Sequence, residues 1–138
     1  HPRVLAVKDA TGDVEQGFCR MEATGLEYYS GDDGLNFAWL AHGASGMVSV
    51  VAHADAHSWR QMVTEVDAGD LAGARAVAQR MRPLVRAMMG GGQGAVMAKE
   101  ALLLQGRIPS AALRLPLVRA SQTEVEALRA TLASCGLL

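Results

Sequence analysis

Val4-Leu5-Ala6-Val7-Lys8-Asp9-Ala10-Thr11-Gly12-Asp13 decides how this chain is read. An unbroken apolar run, Val4 to Val7, ends at Lys8 and gives way to a polar turn. Aliphatic residues without polar alternation suit a strand covered on both faces, as in a parallel sheet. Asp13 is placed to cap a helix to Ala23, with Gln16 three residues on in a capping-box pattern. Gly25 is placed to end that helix in the left-handed conformation. Leu26 to Ser30 reads as a second strand, and Gly31-Asp32-Asp33-Gly34 as a tight turn. A short helix, Leu35 to Ala41, follows, with Gly43 and Gly46 bracketing its exit. Met47 to Val51 reads as a third strand. Strands alternate with helices about every 20 residues, the β-α-β spacing of a parallel sheet.

Beyond Ala52 the pattern is helical. Helices are expected over 54–68, 71–89 and 95–105, with Pro83 a possible kink in the second. Gly90 to Gly94 reads as a loop and 107–118 as an extended, proline-containing segment. Ser121 caps a last helix to about Ser134, with Glu124 at the third position. The chain thus divides into residues 1–53, a βαβαβ part, and residues 54–138, an all-helical part. Three parallel strands leave open edges that call for more strands. The fold expected is α/β: the last three β/α units, strands six to eight, of a (β/α)₈ barrel, followed by a C-terminal helical domain. The chain opens on His1-Pro2-Arg3 without Met and enters a buried-type run at once, which reads as a start within a domain.

Half of the 138 residues are apolar and 4% are aromatic, so the core is built of aliphatics, methionine and small residues. The net charge is -1, with acids and bases interspersed. No basic cluster offers a phosphate-binding patch, so nucleic acid is not an expected partner. No run reaches the roughly 20 apolar residues of a membrane span, and no secretory signal pattern is visible. Cys19 and Cys135 are expected to be reduced, mostly packed thiols, and the cytoplasm is the default location.

Lys8 stands at the carboxyl end of a strand, the end that faces the active site in barrel enzymes. Apolar surroundings there disfavour the ammonium and free the amine to attack a carbonyl. A strand-end lysine is also an ordinary solvated charge, and position alone does not separate the two. Gly31 lets a ligand approach the backbone on the same rim. Asp32 and Asp33 suit either a polar substrate or the N-terminus of the next helix. Met47 to Val50 ends the third strand on that rim, as pocket wall or as core. His53 and His57 have helical metal spacing but no glutamate between or near them, so no metal site is expected. One ring of Tyr28-Tyr29 is expected in the core and one outside.

Four segments carry a resemblance. Leu5-Ala6-Val7-Lys8-Asp9-Ala10, Tyr29-Ser30-Gly31-Asp32-Asp33, Gly46-Met47-Val48-Ser49-Val50 and Leu113-Arg114-Leu115-Pro116-Leu117-Val118 resemble, in order, segments of the dihydrodipicolinate synthase and N-acetylneuraminate lyase superfamily of class I aldolases. The resemblance covers essentially the whole chain. It implies a lyase of lysine and diaminopimelate biosynthesis that condenses pyruvate with L-aspartate 4-semialdehyde to 4-hydroxy-tetrahydrodipicolinate. Lys8 is then the catalytic lysine that forms the imine with pyruvate, and no cofactor beyond that imine is implied. Val48 matches an aliphatic position whose main chain contacts pyruvate, and Gly31 and Asp32 a segment near the second substrate. The Ser30-Gly31-Asp32-Asp33 stretch favours this activity over a 2-keto-3-deoxy sugar acid aldolase or N-acetylneuraminate lyase. A non-catalytic half-barrel interaction module is the rival from another class.

The sequence departs from the family at Gly91 to Lys99, where an Asn-Pro-Ile-Pro-Val-Lys segment is common, and at His53, where Asn is common. The family's proton-relay tyrosine, its threonine partners, its carboxylate-binding arginine and its lysine-feedback site belong to earlier strands. This chain alone is therefore expected to be inactive without the missing N-terminal part of the barrel, and the intact enzyme is expected to be a homotetramer.

Overall fold

The computed structural model describes residues 1–91 and 93–138; Gly92, in the expected glycine loop, lies outside the described residues. Three strands, β1 (Ala6–Asp9), β2 (Glu27–Ser30) and β3 (Gly46–Met47), form one parallel sheet in the order β1-β2-β3. Helix α1 (Val14–Thr24) crosses from β1 to β2, and α2 (Asn36–Ala41) from β2 to β3. A 3-10 turn, Val51–His53, then leads to α3 (Ala56–Asp67), α4 (Leu71–Met89), α5 (Gly94–Leu104) and α6 (Gln122–Ser134). The chain divides into two units. One comprises His1–Ser49 with Trp59–Gln79, the other Val50–Ser58 with Arg80–Leu138.

At α1, α3, α4 and α6 a side chain just before the first turn marks where the helix begins. The Asp13 carboxylate accepts from the Gln16 N–H at 3.1 Å, and Gly25 ends α1 at φ 61°. Asp55 and Asp70 accept in the same way from the N–H groups of Ser58 and Gly73. At α6 the capping box is complete: Ser121 Oγ accepts from the Glu124 N–H, and the Glu124 carboxylate accepts from the Ser121 N–H. Each such bond satisfies an N–H that the helix itself leaves open. α4 runs through Pro83 without a break in its span.

In the first unit the sheet packs on α1 and α2 through Tyr28, Trp39 and Ala44, with Val7, Phe18 and Met21 against them. Trp39 meets the edge of Phe18 at 5.2 Å and stacks with Tyr28 at 6.0 Å. The Trp39 ring reaches the backbone of α1 at Gly17, where an added Cβ would stand 2.4 Å from it. Glycine at that position is what lets the indole in. As expected of the tyrosine pair, Tyr28 is buried and Tyr29 only half-buried.

In the second unit α5 packs against α6, with Val96, Met97, Ala101, Leu128 and Leu132 buried. Glu100 is also buried, 1% exposed, and the Arg119 fork closes on it at 2.8 and 2.7 Å. Gln105 Nε2 donates to the carbonyls of Ala54 and Leu137. Lys99 Nζ donates to the Ala112 carbonyl on the extended segment.

Three expectations need correction. The first strand is not covered on both faces: Val4 is 51% and Leu5 72% exposed. Among the described residues β1 is an edge strand, and its sheet neighbour is β2. The third strand is Gly46–Met47 rather than 47–51, so Gly46 belongs to the sheet and not to the helix exit. Among the described residues its sheet neighbour is β2, which ends at Ser30 and so limits the ladder. Cys19 is exposed rather than packed, because it lies on the outer side of α1; Cys135 is half-buried, and both are free thiols.

Candidate active site

The carboxyl ends of the three strands bring the expected residues to one rim. Lys8 lies opposite Tyr29 in the register, and Asp9 opposite Ser30. The chain then turns at Gly31, whose N–H donates to the Asp9 carbonyl at 2.7 Å. An added Cβ on Gly31 would stand 2.5 Å from Lys8 Cε, 2.9 Å from Ala10 Cβ and 3.0 Å from the Asp9 carbonyl oxygen. The lysine stem therefore lies across the glycine, toward the end of β2. Its side chain is otherwise exposed, so the apolar surroundings expected for it are not formed by these residues.

Asp32 spends its polar groups on the turn. Its Oδ1 accepts from the Gly34 N–H at 2.9 Å, and its carbonyl accepts from the Leu35 N–H and from Ser30 Oγ. Aspartate commonly closes a turn on the backbone two residues ahead in this way. Val48 follows β3 directly. Its N–H donates to the Ser30 carbonyl at 2.8 Å, and its side chain is half-exposed. Lys8, Gly31, Asp32 and Val48 thus all stand at the ends of adjacent strands.

Two further groups stand on this rim: Asp33, expected to face a polar substrate or the next helix, and Asp9. Asp33 is buried and accepts from Asn36 Nδ2 at 3.1 Å and from Ser49 Oγ, so it joins the loop after β2 to the loop after β3. Asp9, beside Lys8, is buried too. Its carboxylate accepts from the Thr11 N–H and hydroxyl at 2.9 and 2.7 Å and pairs with Arg20 at 3.3 Å. Burial pushes the Asp9 carboxyl up, but the two Thr11 hydrogen bonds and the Arg20 charge together outweigh it and hold the group below its ordinary value. The Asp-x-Thr spacing carried a readable signal, since an aspartate two residues before a threonine favours such a turn. Nothing in the spacing of Asp33 and Ser49 pointed to their bond.

Among the described residues there is no group of three or more His, Cys, Asp or Glu side chains that would hold a metal, and no helix long and apolar enough to cross a membrane.

The comparisons with known proteins agree with one another. The chain is 49% identical to the 4-hydroxy-tetrahydrodipicolinate synthase of Kineococcus radiotolerans over 99% of its own length and 44% of that protein's. It is 44% identical to the protein of the same name from Bifidobacterium longum, over 98% of this chain and 45% of that one. The crystal structure of dihydrodipicolinate synthase from Thermotoga maritima superposes with a TM-score of 0.91 at 33% identity, covering 97% of this chain and 46% of that one. The chain therefore spans a little under half the length of the relatives it matches. Residues 1–135 match the model of the dihydrodipicolinate synthetase family, and the chain belongs to that family.

Proposed function

We propose that this chain supplies the Schiff-base side of the active site of a pyruvate-dependent lyase, a 4-hydroxy-tetrahydrodipicolinate synthase. The observation that carries the proposal is the placement of Lys8 at the carboxyl end of β1, its stem laid over Gly31 at the end of β2, in a chain matched to the family over residues 1–135. In this reading β1, β2 and β3 are strands six to eight of a (β/α)₈ barrel, and 54–138 is its helical C-terminal domain. The remaining wall of the pocket, which would exclude water from Lys8, comes from the part of the relatives that this chain does not span. The assembly is a cytoplasmic homotetramer.

The chemistry follows from a primary amine on that rim. The Lys8 amine attacks the keto carbon of pyruvate, and loss of water leaves a protonated imine. That cation takes up the electron pair released when a proton leaves the neighbouring methyl carbon, giving an enamine. The enamine carbon attacks the aldehyde of L-aspartate 4-semialdehyde, whose oxygen takes up a proton as the carbon–carbon bond forms; the amine of that substrate then adds to the restored imine and displaces the Lys8 amine, closing the ring. The Val48 main chain holds pyruvate, and Gly31 and Asp32 flank the second substrate. No metal or separate cofactor takes part.

The test is borohydride reduction of the full-length protein in the presence of pyruvate, followed by peptide mapping. A carboxyethyl group on Lys8 is the expected result; a label on another residue, or none, overturns the assignment. A panel of aldehydes offered with pyruvate then separates this activity from the sugar acid aldolases.

A further inference from the structure

We infer that Ser49 and Asp33 are positioning residues that hold the main chain of Val48 at the strand-end rim, two strands from Lys8, and thereby set the affinity for the keto acid. The inference rests on the proposed function above. Its ground is the shortness of β3. The strand ends at Met47, and the last bond of its ladder is the one that the Val48 N–H makes to the Ser30 carbonyl. Packing does not fix Val48 further, because its side chain is 50% exposed. Hydrogen bonds to its two sides hold it. Before it, the Val48 N–H donates to the carbonyl of Ser30, a residue fully buried at the end of β2. After it, Ser49 Oγ donates to Asp33 Oδ1.

Asp33 is a firm anchor for that second bond. It is 5% exposed, and Asn36 Nδ2, on the first turn of α2, donates to the same oxygen at 3.1 Å. Asn36 is itself 1% exposed. A hydrogen bond to a charged acceptor out of water is stronger than one between neutral groups. The peptide of Val48 is thus held between β2 and the start of α2. A group that only binds the first substrate is expected to affect its KM and to leave the bond-forming step alone.

The experiment uses Ser49→Ala and Ser49→Thr in the full-length protein, with steady-state kinetics on both substrates, thermal melting and borohydride trapping by pyruvate. Ser49→Ala is expected to raise the pyruvate KM about tenfold, the scale of one hydrogen bond to a charged group. The KM for the aldehyde, kcat at saturating pyruvate and the melting temperature should stay near those of the unsubstituted protein. Ser49→Thr keeps the hydroxyl and should restore the pyruvate KM. An unchanged pyruvate KM in Ser49→Ala, or a shift of both KM values with the melting temperature that Ser49→Thr does not repair, overturns the inference. If Ser49→Ala does not fold, Ser49→Cys, of similar size and a weaker donor, is read by the same criteria. Absence of any adduct on Lys8 in the unsubstituted protein overturns the proposed function itself, and this inference with it. A defect confined to the variant leaves that reading standing.

Discussion

The Cε of Lys8 occupies the space that any side chain at Gly31 would need. The crowding has two parts of different stiffness. The lysine stem can swing away, but Ala10 Cβ and the Asp9 carbonyl belong to the chain itself. Gly31→Ala should therefore push the lysine off the rim and strain the turn together. Misplacing a reacting amine by an ångström lowers rate steeply, so pyruvate trapping on Lys8 should slow about 10- to 100-fold. Overpacking of this kind costs about 1–3 kcal/mol of stability. Trapping kinetics beside a denaturant melt check both figures, and a variant that traps pyruvate as fast as the parent refutes the crowding argument.

Asp9 makes the stability of this rim depend on acidity. Its folded carboxyl lies below the ordinary value of 3.8, so it binds protons less readily folded than unfolded. Its contribution is complete above 3.8 and is lost as pH falls through the lower folded value. Thr11→Val deletes the hydroxyl that donates to Asp9 at 2.7 Å and keeps the backbone bond. At neutral pH the variant should be about 1 kcal/mol less stable. The two proteins should converge in strongly acid buffer, where the carboxyl is protonated in both. Urea melts at the two pH values measure this, and a gap that persists in acid counts against the assignment.

Glu100 and Arg119 form a two-pronged ion pair whose acid is 1% exposed. The hydrogen bonds to Glu100, and then the attraction of its charge, push the Arg119 guanidinium above its ordinary value. Removing the arginine alone strands a carboxylate away from water, whereas removing both charges leaves an apolar contact. Arg119→Ala should therefore melt below the double variant Glu100→Met with Arg119→Met, which should melt near the parent. Calorimetry of the three proteins tests the order. Equal losses in both variants would show that the pair is not desolvated.

Element order was legible in the sequence because periodicity and capping are local. Asp13, Gly25, Asp70 and Ser121 with Glu124 stand where helices start or stop, each by a bond reaching a few residues along the chain. The length of β3 was not legible. An apolar run such as Met47 to Val51 looks like a strand whatever its neighbour does, and here the end of β2 at Ser30 sets the limit. Val4 and Leu5 stand open among the described residues, since apolarity says that a face can be buried and not what buries it. At the site, the rim positions of Lys8, Gly31 and Val48 follow from the order of the strands. The bonds from Ser49 to Asp33 and from Arg119 to Glu100 span 16 and 19 residues, beyond the reach of any local pattern.

The brevity of β3 has a consequence for how such a site changes over time. A loop fixed by a long ladder moves only if the whole sheet adjusts. Here the stretch beyond Met47 is tethered by a few polar side chains, so one substitution at Ser49 or Asp33 can shift it while the aromatic core around Trp39 stays as it is. The placing of that stretch and the packing around Trp39 therefore rest on different residues.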